Sequence, residues 1–236
     1  MVVHANSRLL SFFFAWFSSS HFHGSSGNFK ADLKRSEIFQ LYLDRYVYPT
    51  LMPRFGWLYE RIFDKDLQNK GIDLILDQGD KVLNVDEKAQ IEYMDDKNIP
   101  TMAFEISYIK DRVSHFGWLF DPQKRTDLIF YVTDIKTRSG KGAFDRPEDI
   151  LSCSIYCIEL ALLVAKLKSS GLDYDGCIAH FDSHQVDGVD RLRRSKLVRS
   201  YQKAESPLNL VIHHSTLQNI LKEGCLKIWG DDKENN

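Results

Sequence analysis

Asp73, Asp86 and Lys88 are the residues of this chain whose types and spacing could do chemistry together. Two carboxylates offer the hard oxygens that Mg²⁺ or Mn²⁺ prefers, with room left for water. A lysine two residues beyond the second acid shares its side of a strand and reaches whatever the metal polarises. Gln90, two residues further, continues that side and could fix the metal water or the lysine.

The element that must position them is a hairpin over Gly71–Gln90, GIDLILDQGDKVLNVDEKAQ. Apolar Ile72, Leu74 and Leu76 alternate with Asp73, Ile75 and Asp77, and Gly79-Asp80 suits a two-residue type II′ turn. Counting back from the turn pairs Gln78 with Lys81, Asp77 with Val82, Ile75 with Asn84, and Asp73 with Asp86. Ile72, Leu74, Leu76, Leu83 and Val85 then share the opposite, apolar face, on which Glu87 also falls. Directly opposed carboxylates destabilise a bare sheet, and a divalent cation between them reverses the sign.

The order and spacing resemble the PD-(D/E)xK nuclease superfamily, with Asp73 as the first acid and Asp86-Glu87-Lys88 as the second element. Ile72 stands where the family name has proline. The resemblance covers roughly residues 30–170 and implies a restriction-endonuclease-like α/β fold, a central mixed sheet flanked by helices. It also implies a metal-dependent phosphodiesterase acting on nucleic acid, DNA before RNA, with Mg²⁺ or Mn²⁺. Asp73 and Asp86 would hold the cation, joined by Glu87 through its main-chain carbonyl. Lys88 would orient or deprotonate water, or neutralise the developing charge. Such folds often open with a helix that offers an acid, which makes Glu37 an accessory candidate against the plainer reading of a solvated helix charge. The Gln-x-x-x-Tyr extension of the RecB-like branch is absent, because Gln90-x-x-Tyr93 is one residue short.

Other segments supply further candidates. Thr101–Ile109 alternates as a strand with Met102, Phe104 and Ile106 on one face. Placed beside the hairpin it would bring Glu105 to the acidic face as another ligand, the competing reading being a solubilising edge charge. Lys124 and Arg125, in a turn opened by Asp121-Pro122, could contact phosphate. Asp190–Lys203 concentrates Arg191, Arg193, Arg194, Lys196, Arg199 and Lys203, and as a helix it would present a phosphate-binding face or a merely solvated one. His180, Asp182 and His184, read as a strand, would project together as zinc ligands, the basis of a less favoured zinc-hydrolase alternative.

Stripes and breaks predict the remaining elements. Lys30–Tyr48 reads as a helix ended by Pro49 and Pro53, and Phe55–Phe63 is ambiguous between strand and helix turn. Asp64–Lys70 reads as a loop, Asp127–Val132 as a buried strand, and Ile150–Leu167 as one helix buried against the sheet. Leu208–Ile212 reads as a strand and Ser215–Leu221 as a short helix.

The 236 residues predict one nuclease-like domain over 29–230, behind a leader at 1–28 and before an acidic tail at 231–236. Leu9–Phe17 is too short to span a bilayer and lacks a signal-peptidase-like site, so the leader is taken as disordered or fortuitous. A hydrophobic fraction of 43% with 27% charged residues suits a globular core, and a net charge of −2 confines any nucleic-acid surface to a local patch. Four cysteines without a Cys-x-x-Cys pair suit a reduced, cytoplasmic protein without a membrane partner. A homodimer is left open, as is a catalytically inactive nucleic-acid or protein-binding module on the same fold.

Overall fold

The computed structural model describes residues 26–96, 99–184, 192–201 and 205–230, and the acidic tail and all but the last three residues of the expected leader lie outside them. Helix α1 (Ser26–Tyr42) runs through a π-helical turn, Leu43–Val47, into α2 (Tyr48–Arg54). The helical path therefore continues past Pro49, which sits in the first turn of α2 where its missing N–H is no loss.

Strand β1 (Leu58–Arg61) follows, which settles the ambiguity at Phe55–Phe63. The expected loop after it holds a short helix, α3 (Lys65–Asn69), because Asp64 Oδ1 caps it by accepting from the Leu67 N–H at 3.0 Å. The hairpin strands are β2 (Leu74–Asp77) and β3 (Val82–Ala89), followed by β4 (Thr101–Lys110), β5 (Val113–Phe116) and β6 (Leu128–Thr137).

The segment expected as one helix divides into β7 (Ile150–Glu159) and α4 (Leu160–Ser169). Strand β7 is central and buried on both faces, with Cys153 and Ile155 in one core and Tyr156 and Ile158 in the other, so it lacks the alternation that marks a half-buried strand. Helix α5 (Tyr174–His184), strand β8 (Ser195–Arg199), strand β9 (Leu208–His213), helix α6 (His214–Leu221) and strand β10 (Cys225–Trp229) complete the chain.

Two sheets result: a six-stranded mixed sheet in the order β1-β2-β3-β6-β7-β10 and a four-stranded antiparallel sheet in the order β5-β4-β9-β8. The α/β class and the mixed central sheet flanked by helices are as expected. The place of β4 is not, since the neighbour of β3 is β6, paired in parallel, and β4 lies in the other sheet. The run Leu128–Val132 explains this, because it is apolar on both sides and suits a strand covered on both faces.

Each face of the large sheet has its own core. Ile38, Phe39, Leu43 and Leu51 of the N-terminal helical stretch pack with Leu74, Leu76, Val85, Phe130 and Val132. On the other side Ile129, Tyr131 and Ile158 meet Met102, Phe104 and Ile106 of β4 and Leu210 and Ile212 of β9. A side chain of this size, fully buried, contributes about 1.5–3 kcal/mol relative to exposure, so both layers hold the sheet rigidly. Among the described residues no helix is long and apolar enough to cross a membrane.

Candidate active site

From Leu74 to Asp77 the hairpin has the expected register. Leu74 faces Val85, Ile75 faces Asn84 and Asp77 faces Val82, while the Gln78 N–H donates to the Lys81 carbonyl at 2.8 Å across a turn with Gly79 at φ +87°. The pairing starts at Leu74: the Asp73 N–H donates to the Val85 carbonyl at 2.8 Å, one residue out of step with the Leu74–Val85 pair. The expected cross-strand pairing of Asp73 with Asp86 therefore does not form, although the Asp86 charge acts on Asp73. Both are buried, at 7% and 3% exposure. Asp86 and Lys88 pair with Ile129 and Tyr131 of β6, so the acidic face is the one turned toward the second sheet. There the Lys88 ammonium bonds Asp86 Oδ1 and stands 5.3 Å from the centre of the Trp118 ring.

Burial and mutual repulsion dominate the electrostatics. Loss of water, reinforced by the Asp86 charge, pushes the Asp73 carboxyl well above the usual range, against the pull of Lys88 and the Glu87 amide. Lys88 is held above its ordinary value although burial works against its charge, because Asp86 and Asp73 outweigh that loss. Glu105 is pushed up to about 8 by burial, opposed by Lys88 and aided by Glu205. It is 2% exposed, and its Oε2 has no hydrogen-bond partner. Lys124 is lowered by burial and by the Lys88 charge, with Asp86 and Asp73 acting the other way.

Glu105 thus reaches the electrostatic field of the site from β4, across the gap between the sheets, and not as a neighbouring strand. The Gly117-Trp118 turn packs against it: the Gly117 N–H donates to the Ile106 carbonyl at 2.7 Å, and a Cβ at Gly117 would collide with the Glu105 main chain. Among the described residues no set of three or more His, Cys, Asp or Glu side chains is placed to share one cation. Gln90 is occupied elsewhere, since its Nε2 donates to the Thr101 carbonyl at 2.6 Å and its amide bonds the Tyr131 hydroxyl.

Glu87 faces the opposite side of β3. Its carboxylate bonds the Tyr48 hydroxyl and pairs with Arg61, whose Nη2 also reaches Asp44 Oδ1 at 2.7 Å. Asp44 lies in the π-helical turn, so this buried network fastens the helical layer to β1 and β3 behind the acids. The carboxylate of Glu87 is therefore absent from the acidic face, and what Glu87 offers there is main chain. Its N–H donates to Asp73 Oδ2 at 2.8 Å. In an extended strand the N–H and C=O of one residue point the same way, so its carbonyl is also turned toward Asp73. No pattern within the hairpin announces this network, because its cation comes from β1.

Other candidates fall away from the site. Glu37 is exposed on α1, which packs on the face opposite the acids, since Ile38 and Phe39 take the core positions. The basic stretch forms a turn at Arg193 and Arg194 and then the edge strand β8, not a helix. The Arg193 and Arg194 carbonyls bond α6 and β9, the Arg199 guanidinium lies 5.1 Å from the Phe181 ring, and Lys196 is exposed on the other face from buried Leu197. Alternation along β8 thus splits the cations, and Arg191 and Lys203 lie outside the described residues.

His180, Asp182 and His184 lie on helix α5, where Asp182 turns away from the side shared by the two histidine positions. Asp173 starts that helix by accepting from the Gly176 N–H at 2.9 Å, and the strand-based zinc geometry is lost. No protein-family model matches the chain, and neither a curated protein nor a solved structure does so.

Proposed function

We propose that this protein is a metal-dependent nuclease with a restriction-endonuclease-like core, hydrolysing phosphodiester bonds of nucleic acid, with DNA preferred on the resemblance of its motif. The observation that carries this reading is the buried Asp73–Asp86 pair, in which loss of water and then the Asp86 charge raise the Asp73 carboxyl well above its usual range, a cost that a bound cation would relieve. Asp73, Asp86 and the Glu87 carbonyl are hard oxygen donors, a set that fits Mg²⁺ or Mn²⁺. Glu105, with its unpartnered oxygen, is the further acid nearest to that set in charge. Bound there, the ion supplies a water of lowered pKa and a Lewis acid for the phosphate.

The protein's own groups do the rest. Lys88 keeps its proton and presents N–H donors and positive charge to the phosphate oxygens that gain charge in the transition state. The Trp118 face beside the ammonium fixes it by a cation–π contact. The Glu87 amide holds Asp73 in place.

One observation favours a non-catalytic binding module instead: the Lys88–Asp86 pair satisfies that acid without any ion. Cleavage of single-stranded, double-stranded and structured DNA and RNA with Mg²⁺ and Mn²⁺, beside Asp73→Ala and Lys88→Ala, separates the two. Metal-dependent cleavage lost in both variants supports the nuclease. Equal activity of the variants sinks it, and retained binding without cleavage gives the module.

A further inference from the structure

Lys124 has no part in the chemistry above, yet it stands at the acids. Its Nζ donates to the Asn69 carbonyl at 2.9 Å, and among the described residues no carboxylate lies within ion-pair distance of it. Its stem lies over Gly71: the point where a Gly71 Cβ would stand is 3.3 Å from Lys124 Cδ and 3.4 Å from Asp86 Oδ2. Gly71, at φ +75°, is thus the bare floor between the lysine and the acid.

The loop that carries Lys124 is fastened on both sides. The Lys124 N–H donates to the Asp121 carbonyl at 3.1 Å and the Arg125 N–H to the Lys70 carbonyl at 2.7 Å. The Thr126 hydroxyl donates to the Gly71 carbonyl at 2.8 Å, and Asn84 Nδ2 donates to the Arg125 carbonyl at 2.8 Å. Neighbouring Arg125 is exposed and joins this frame through its main chain. A half-buried ammonium held on a rigid loop, bonded to a carbonyl and paired with no anion, is preorganised for an anion that arrives later.

Resting on the nuclease reading, we propose that Lys124 is a phosphate-binding residue of the site, taking a non-bridging oxygen of a nucleic-acid strand across Gly71 from Asp86. The rival role is structural, a distant charge that merely offsets the acids.

Lys124→Met and Lys124→Arg distinguish them, with Lys124→Gln, which keeps an N–H donor, as the variant to use if the Met form does not fold. Two quantities are read: cleavage of a labelled oligonucleotide with Mn²⁺, and its affinity by fluorescence anisotropy with Ca²⁺ in place of Mn²⁺ over a salt series. The expected result for Lys124→Met is a rise of about tenfold in KM and Kd, with a salt slope smaller by about one. Lys124→Arg should retain most of the affinity. Unchanged KM, Kd and slope in a folded Lys124→Met, while the parent cleaves, overturn the inference and leave the nuclease reading standing. A parent that binds without cleaving removes that reading, and the Kd and slope then decide the role of Lys124 alone. A parent that does neither removes both.

Discussion

The main-chain amide of Glu87 donates to Asp73 Oδ2 at 2.8 Å, so the strand that carries Asp86 also grips the other acid. On the reverse side the Glu87 carboxylate is bound by Arg61 and Tyr48. One residue thus holds the strand beside the acids through both its amide and its carboxylate, and its charge adds to the rise of the Asp73 carboxyl.

Asp73→Asn keeps an acceptor for that amide and removes the repulsion. Because burial and Asp86 raise the Asp73 carboxyl, the parent loses stability as pH climbs above the ordinary carboxylate range. The variant is expected to melt a few degrees higher at pH 7.5 in EDTA, to show no Mn²⁺-dependent rise in Tm, and to lose about a hundredfold or more in cleavage. Thermal melts with and without Mn²⁺ check the first two. A parent-like response to Mn²⁺ would count against Asp73 as a ligand.

Glu105 gives a sharper pH signature. Its carboxyl ionises at about 8 in the folded protein, above the ordinary glutamate value, so the folded state binds the extra proton in between. Folding stability in EDTA therefore falls as pH rises from about 4.5 to about 8, and levels off above. Glu105→Gln should remove that slope, so that the Tm advantage of the variant grows from near zero at pH 5 to several degrees at pH 8. A constant offset across the range would place Glu105 in an ionised state throughout.

The network behind the acids is structural. Arg61→Met leaves Glu87 and Asp44 without their shared cation, and since the Arg61 and Glu87 side chains are only 7% and 8% exposed, the loss should be about 3–5 kcal/mol. Adding Glu87→Met should recover a large part of it, because the uncompensated charge goes too. Urea unfolding of both variants tests this. Additive losses would mean that the pair contributes nothing as a pair.

Gly71 admits no side chain. At φ +75° with Thr126 Oγ1 well inside contact distance of where a Cβ would stand, Gly71→Ala should cost about 1–3 kcal/mol and displace the Lys124 loop from Asp86. Equilibrium unfolding gives the first effect and oligonucleotide affinity the second. Full affinity in a destabilised variant would separate the loop from binding.

Local chemistry made the hairpin legible. Gly79-Asp80 fixes the turn, the turn fixes the count and alternation assigns the faces from Leu74 to Asp77. The one-residue slip at Asp73, which no local pattern marks, leaves the two acids coupled by charge but not cross-strand partners. The pattern failed where both faces are buried or where tertiary contacts decide. Ile150–Glu159 carries apolar side chains on both of its faces because it lies between two cores, which hides its period of two. His180–His184 alternates on paper but forms a helix, capped by Asp173. The arginines of 193–199 satisfy a helical wheel, yet β8 extends β9. The partners of Glu87 and the approach of Glu105 depend on strands remote in sequence, β1 for the one and the second sheet for the other, and no motif within the hairpin encodes them.

The parallel pairing of β3 with β6 has a kinetic consequence. Between Ala89 and Leu128 the chain leaves the large sheet, builds β4 and β5 in the other, and returns beside the strand it left. Glu105, Trp118 and Lys124 all travel on that excursion. The β1–β3 meander closes over short distances and can form first, with Asp73 and Asp86 still hydrated, whereas the parallel pair must wait for a long loop to close. The desolvation of the acids is thereby deferred to the docking of the two sheets, so the barrier to that last step, and not the formation of the hairpin, should carry the dependence on pH and divalent cations during refolding.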